Sequence, residues 1–315
     1  MESRYVSPSG SDSANGTLER PWKSLRKAFS SLYPGETLFA RGGVYAERIK
    51  NPFLRRGAAS DRSAVKAYPG ERPVLKGLLW LSKPSYWTFD GLNVQWDDAT
   101  GQKNEHMVKL TGGDGWEFVN AEVWGARSYA AILVAQGSLA SPNNWRISGC
   151  RVRDTYPSND TNQDQLIYVN AGMEGTGGII ERNLLWNATN GEAVKLGGPN
   201  ALEGGTAGVT VRYNTCYNTA QHMLVAWKSG GNRIERNLLV KTKGSYKSLR
   251  GYQLSGAGNV AAENYVSLCG GVIANDPGYT GLQDGGGNVV GADPQFDGDL
   301  RPALLAAQAY GRWAE

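Results

Sequence analysis

The sequence is poor in most of the devices that give a small protein its chemistry. Its three cysteines (Cys150, Cys216 and Cys269) are too few for a disulfide framework and show no zinc spacing. Only two histidines occur in 315 residues. No apolar run approaches the ~18 residues that suggest a membrane span. The opening MESRYVSPSG lacks the apolar region of a secretory leader. No phosphate-cradling glycine loop or nucleophile elbow appears. A convincing helical period of apolar residues occurs once, which argues against an α/β sheet flanked by helices. The charge is mildly basic, +4 with a pI near 8.8. That balance suits an acidic polymer and is too weak to argue for nucleic acid.

What is abundant is glycine, 42 residues, together with a seven-residue motif that recurs seven times. The copies are FDGLNVQ (89–95), FVNAEVW (118–124), ISGCRVR (147–153), IERNLLW (180–186), VRYNTCY (211–217), IERNLLV (234–240) and AAENYVS (261–267). Their starts are 29, 29, 33, 31, 23 and 27 residues apart. That period suits one turn of a parallel β-helix, each turn stacked on the last. The fold expected is all-β: a parallel β-helix with an N-terminal capping helix. Alternation along a strand puts positions 4 and 6 inside and positions 5 and 7 outside. Position 4 is Asn183, Asn214, Asn237 and Asn264 in the last four copies. A buried, unpartnered amide costs roughly 1–3 kcal/mol. Amides stacked at the ~4.8 Å strand spacing satisfy one another, so this ladder is expected to be structural. Cys150 and Cys216 occupy the same inward slots and read as buried thiols.

A second strand per turn ends in glycine: 106–113, 129–137, 165–172, 191–198, 225–231 and 251–258. These glycines mark corners. One solenoid domain, 1–315, is expected. Its N-terminal cap of about 45 residues carries Trp22, Leu25, Ala28, Phe29 and Leu32 at helical spacing after Pro21. Coils run to about residue 290, and the tail 291–315 is expected to cover the far end. Loops at 138–144, 154–164 and 199–207 project from the coils, where binding groups concentrate.

Aligning the second strands on their terminal glycines puts Lys109, Lys195 and Lys228 in one outward column, with Tyr168 between. Lys195 and Lys228 then stand about 5 Å apart, repelling by roughly 3–4 kcal/mol at an effective dielectric near 20. Either one lysine is neutral and able to act as a base, or the pair binds an anion such as a sugar carboxylate. Two splayed, solvated lysines are the plain alternative. Glu192, Asp164, Gln221, His222 and Arg250 lie beside this column. A neighbouring outward column holds Trp124, Arg153, Trp186 and Tyr217, groups that suit the apolar faces of sugar rings. Asp97, Asp98, Asp154, Asp160 and Asp164 could supply oxygen ligands to Ca2+, without compact spacing.

YVSPSGSDSANGTLERPWKSLRKAF (5–29), PGETLFARGGVYAERI (34–49), AVKAYPGERPVLKG (64–77) and the closing DPQF (293–296) resemble right-handed parallel β-helix proteins of the pectin-lyase-like superfamily. The centre is similar to β-helix alginate lyases and chondroitinase B. There, an NKS-like segment carries the base lysine and an LRHG-like segment one turn later carries an arginine. WKSGG and SLRGY place Lys228 and Arg250 in those positions. Gln221 and Met223 stand where those families hold calcium with acidic residues. NGEAVKLGG resembles the lysine-bearing segment of another β-helix pectate lyase family and nominates Lys195.

The resemblance implies β-elimination on a uronic-acid polysaccharide. Arg250 and one of Lys195 and Lys228 would neutralise the uronate, with Arg153 in support, and the other lysine would take the C5 proton. Tyr168 or water would protonate the leaving oxygen, with Glu192 in the catalytic group. Trp124, Arg153, Trp186, Tyr217, His222 and Asp164 would bind substrate. The expected partner is an acidic polysaccharide, not nucleic acid or a membrane, and Ca2+ is the candidate cofactor. The expected location is secreted or periplasmic, with a virion-associated trimer as the alternative to a monomer. Two rival readings are a glycoside hydrolase or tailspike-like depolymerase, using Asp164 with Glu192 or Asp154 with Asp160, and a non-catalytic carbohydrate-binding β-helix.

Overall fold

A computed structural model describes residues 3–100, 105–127, 129–137, 140–157, 163–198, 200 and 204–314. All strand pairings between successive coils are parallel, and the chain winds as a right-handed β-helix with three columns of strands. Sheet 1 has eleven strands, from Ser3–Val6 to Leu282–Asp284. The other fifteen strands form one bent hydrogen-bonded network with two columns, sheets 2 and 3. These columns are joined where Pro73–Ser82, Leu184–Leu196 and Thr215–Ala226 run through both.

The recurring motif is the corner from sheet 1 into sheet 2. Position 2 closes a sheet 1 strand and positions 4 and 6 point inward, as their burial shows for Leu92, Ala121, Cys150, Val94, Val123 and Val152. Position 3 adopts the left-handed conformation in every copy: Gly91, Asn120 and Gly149, then Arg182, Tyr213, Arg236 and Glu263 at φ 52–55°. That conformation disfavours residues with a Cβ. Each of the last four is followed by a ladder asparagine. Asn183 Nδ2 donates to Asn214 Oδ1 at 2.9 Å, Asn214 to Asn237 at 3.0 Å, Asn237 to Asn264 at 2.9 Å and Asn264 to Asn288 at 3.0 Å. Each Oδ1 also accepts the backbone N–H one coil below. The ladder thus holds the corner where glycine is absent, and Asn288 extends it beyond the motif copies. A second ladder, Asn232 to Asn259 at 2.8 Å, lines another corner.

The helix is Leu25–Ser31, shorter than the apolar spacing suggested. Ser24 caps it through Lys27 N, and the Glu47 carboxylate accepts from Leu25 N and Arg26 N. Leu25, Ala28 and Phe29 enter the core, where Phe29 meets Trp87 and Phe89 edge-on. Trp22 lies outside the helix, bridged to Val6.

The C-terminal tail does not cover the far end. It runs back along the outside of sheet 2. Phe296 meets the Tyr217 ring edge-on at 5.7 Å, and Tyr310 packs on Tyr265. Arg312 Nη1 donates to the carbonyls of Gly149 and Cys150 at 2.9 and 3.1 Å. The reason lies at motif position 5. Leu184, Thr215, Leu238 and Tyr265 point outward there and would expose an apolar strip, and the tail buries it. The three thiols are free. Cys150 and Cys216 are buried, and burial pushes the Cys150 thiol up to about 12, so neither is a nucleophile.

Candidate active site

The outer face of sheet 3 carries the column Trp80, Lys109, Leu133, Tyr168, Lys195, Leu224, Arg250 and Ala274, one residue per coil. Lys195 and Arg250 share this face as the glycine alignment implied for Lys195, but Lys228 does not. Lys195 pairs with Leu224, and the strand ends at Ala226. Trp227 then turns left-handed (φ 60°), and Lys228 lies in the corner, exposed. The expected Lys195–Lys228 repulsion therefore does not arise. The strand holding Arg250 is Leu249–Tyr252, two residues before the segment aligned on glycine, and this carries Arg250 into the column itself.

A cleft of about 530 Å3 opens between Glu192 and Arg250, lined also by Asn190, Gln221, Lys243 and Lys247, among others. The strand register shifts between Ala188 and Glu192; beyond it Ala193 and Val194 enter the core, while Glu192 lines the cleft. Glu192 is 3% exposed and accepts from Gln165 Nε2 at 3.2 Å. Its carboxyl is raised above its ordinary range, chiefly by burial, and the Lys195 charge opposes the shift. Burial likewise lowers Lys195, with Glu192 opposing. Burial thus disfavours the charged form of each, and each charge favours the other. The ammonium of Lys195 lies 5.0 Å from the centre of the Tyr168 ring. Arg250 is held by Asp276, Nε to Oδ1 2.9 Å, and lies over Tyr252.

Asp164 is wholly buried beneath the cleft. Its Oδ1 accepts from Asn190, its Oδ2 has no hydrogen-bond partner, and burial raises its proton affinity. It cannot touch a sugar without a rearrangement, so the structure does not place it as a substrate ligand. His222 is also displaced from its expected position. It points into the solenoid, fully buried, with Nδ1 3.1 Å from Ser248 Oγ, and burial pushes its pKa down to about 4.

Trp124, Arg153, Trp186 and Tyr217 do form one ladder, as the motif alignment required. It lies on sheet 2, not on the sheet of Lys195. The Arg153 guanidinium sits 5.5 Å from the Trp124 ring and 5.9 Å from Trp186, and bonds Glu122 Oε1 at 2.7 Å. Tyr217 is covered by Phe296. Lys109 lies over Trp80, several coils below the cleft.

The calcium candidates do not converge. Asp97 faces Lys76, Asp98 faces Arg127, Asp154 pairs with Arg153 and Asn187, and Asp160 lies outside the described residues. Among the described residues no three metal-binding side chains cluster. The cleft donors, Asn190 and Gln221 with the single carboxylate Glu192, do not fit Ca2+.

The sequence reading missed Lys243 and Lys247. A signal was present: Lys241, Lys243, Lys247 and Arg250 crowd into ten residues just before a sheet 3 strand.

Residues 4–156 match a family model described as Pel9A-like, right handed beta helix region. The pectate lyase PEL9 of Emericella nidulans is 29% identical over 119 residues, 38% of this chain and 27% of that enzyme. The chain thus matches about a quarter of the length of that curated relative. Among solved structures, pectate lyase Pel9A superposes with a TM-score of 0.58 at 15% identity, covering 93% of this chain and 78% of the other. A GH136 lacto-N-biosidase from Eubacterium ramulus gives 0.60 at 16%, covering 86% and 57%. XylC with xylose gives 0.56 at 12%, covering 87% and 69%. The chain is a right-handed parallel β-helix, and its first half carries the Pel9A-like β-helix pattern. Its likeness in sequence is to a polysaccharide lyase. No helix among the described residues is long and apolar enough to cross a membrane.

Proposed function

We propose that the protein is a polysaccharide lyase that cleaves a uronic-acid polymer by β-elimination in the sheet 3 cleft. The observation that carries this reading is Lys195: a lysine whose proton affinity burial has lowered, on the face it shares with Arg250, which lines the cleft with Lys243 and Lys247. The uronate carboxylate lies against Arg250 and Lys247, where positive charge stabilises the enolate as it forms. The Lys195 amine takes the C5 proton. The C4–O4 bond breaks, a C4=C5 double bond forms, and the leaving oxygen takes a proton from Glu192, whose carboxyl burial keeps protonated more readily than usual. Tyr168 seats the Lys195 chain from below. Lys228, in its corner, and the sheet 2 aromatics serve polymer contacts outside the reacting centre. An enzyme of this kind acts outside the cytoplasm, secreted or periplasmic.

The Asp164–Glu192 carboxyl pair supports a second reading, a glycoside hydrolase. Full burial of Asp164 weighs against it. Incubation with polygalacturonate, alginate, chondroitin sulfate and heparin, followed by ultraviolet absorbance and reducing-end assay, separates the two. Unsaturated products support the lyase. Reducing ends without absorbance support the hydrolase. Neither signal from folded protein on any of the four polymers overturns the lyase reading.

A further inference from the structure

A second pocket lies away from the cleft, where sheet 3 strands turn toward sheet 1 near the N-terminal end. It has a volume of about 660 Å3 and is lined by Phe53, Arg56, Lys83, Asp114, Ser141 and Asn143, among others. Three successive coil corners supply its polar groups: Ser82 with Lys83, Gly113 with Asp114, and Ser141 with Asn143. These groups are fixed before any ligand arrives. Asn143 Nδ2 donates to Asp114 Oδ1 at 3.2 Å, Arg56 Nη2 donates to Asp114 Oδ2 at 3.1 Å, and Asn143 Oδ1 accepts from Thr176 N. Ser141 is 6% exposed, and its hydroxyl has no protein partner, an uncommon state for a buried polar group.

The rim is aromatic. Phe53 is 66% exposed, whereas Phe29, Phe89 and Phe118 are fully buried. It is held out on the segment after the strand Gly43–Lys50, with the Arg55 guanidinium 5.4 Å from its ring and 4.1 Å from that of Tyr33. Arg55 is itself anchored to the carbonyls of Ser30 and Leu32 at 2.7 and 3.1 Å. An exposed ring held by a tethered cation, beside planar amide, carboxylate and guanidinium groups, has the two surfaces a pyranose presents. The ring offers a flat apolar face for the C–H side, and the polar groups lie at its edge for the hydroxyls.

We propose that this pocket is a second, non-catalytic saccharide site. It takes one pyranose unit of a polysaccharide, stacked on Phe53 and hydrogen-bonded by Asp114, Asn143 and Lys83. It would hold the polymer to the solenoid independently of the cleft, and its existence does not depend on the chemistry assigned there.

The test is affinity electrophoresis in native gels cast with polygalacturonate, alginate, xylan or galactan, using Lys195→Ala protein so that a cleavable polymer stays intact. At least one polymer should retard the protein. Phe53→Ala should weaken that retardation about five- to tenfold, the scale of one lost stacking contact, and Phe53→Trp should restore it. Retardation confined to polygalacturonate and alginate assigns an acidic sugar, and retardation by xylan or galactan assigns a neutral one. Phe53 is exposed, so its removal leaves the core intact, and near-ultraviolet circular dichroism checks this. Equal retardation of the Phe53→Ala protein and its parent in every gel, or none in any gel, overturns the proposal. Because binding is read without turnover, failure here is distinct from failure of the lyase reading.

Discussion

Lys195 and Arg250 stand in one outward ladder of sheet 3, two rungs apart with Leu224 between them. At the ~4.8 Å spacing of strands their backbones are roughly 10 Å apart, and Arg250 lines the cleft together with Glu192, three residues before Lys195. Leu224 is apolar and 5% exposed, so it neither screens nor partners them. Arg250 already has a carboxylate, Asp276, which fixes its direction. Lys195 has the Tyr168 ring and the charge of Glu192. The rung between the cations is thus an apolar step over which a sugar ring, not an ion, would sit.

This arrangement ranks the lysines. Lys195→Ala should lower kcat on the best uronate polymer by about 100-fold or more, the scale of a lost general base. Lys228→Ala should change it less than about threefold, since that side chain lies in solvent beyond the strand end. The reverse order in steady-state rates would move the base to the corner and return the site to the arrangement first read from the sequence.

The amide ladder should be costly to interrupt. In Asn214→Ala, the N–H of Asn183 loses its acceptor, as does the Asn183 side chain. The carbonyls of Ile180 and Arg212 lose a donor. Buried groups left this way cost about 1–3 kcal/mol each, and Tyr213 would remain in its left-handed turn without the bond that holds it. A loss of at least ~3 kcal/mol in urea unfolding is expected. A loss below ~1 kcal/mol would mean the stacked backbone, not the amides, holds the corner.

The contrast between ladder and cleft explains how much the sequence disclosed. The corner from sheet 1 into sheet 2 has fixed length, so a seven-residue window aligns every coil without gaps. The inward slots and the Trp124–Arg153–Trp186–Tyr217 column were therefore legible. The sheet 3 corners vary in length. A terminal glycine is a poor register mark there, because Trp227 turns left-handed without being glycine, and Lys228 slips past the strand. The register shift between Ala188 and Glu192 breaks alternation, so that Ala193 and Val194 both enter the core. His222 follows Gln221, the partner of Glu192 on the next coil, and strict alternation could not reveal its burial inside the solenoid.

Acid should destabilise the fold through His222. Burial holds its pKa at about 4 in the folded chain, against an ordinary ~6.5 when unfolded. Between these values the unfolded chain binds more protons. The stability tied to neutral His222 is therefore present above ~6.5 and lost as pH falls toward 4, by up to about 3 kcal/mol. Asp164 and Glu192, both raised by burial, act in the opposite sense, and their contribution is lost as pH rises through their folded values. The histidine effect is therefore read as a difference. The urea midpoint of His222→Asn should fall less between pH 7 and pH 5 than that of the parent. Parallel losses would mean that protons enter elsewhere.

The tail should behave as a strap. Leu238, Val240 and Tyr265 face outward from sheet 2 yet are buried, because residues 292–312 lie over them. Gly311 approaches so closely that a Cβ there would stand 2.8 Å from Leu238 Cβ and 2.5 Å from Thr215 Oγ1, in a left-handed turn (φ 75°). Gly311→Val should therefore lift the tail without touching the solenoid core. Removing residues 293–315 should do the same more completely, leaving an apolar strip across several coils. Both variants should bind a hydrophobic dye and self-associate in size-exclusion chromatography, while the far-ultraviolet spectrum keeps its β form. The coils beneath pair with one another through sheets 1 and 3 and do not need the tail for their hydrogen bonds. If truncation instead abolishes the β spectrum, the tail is part of the folding unit, and the strip it covers cannot stand exposed even in an assembled solenoid.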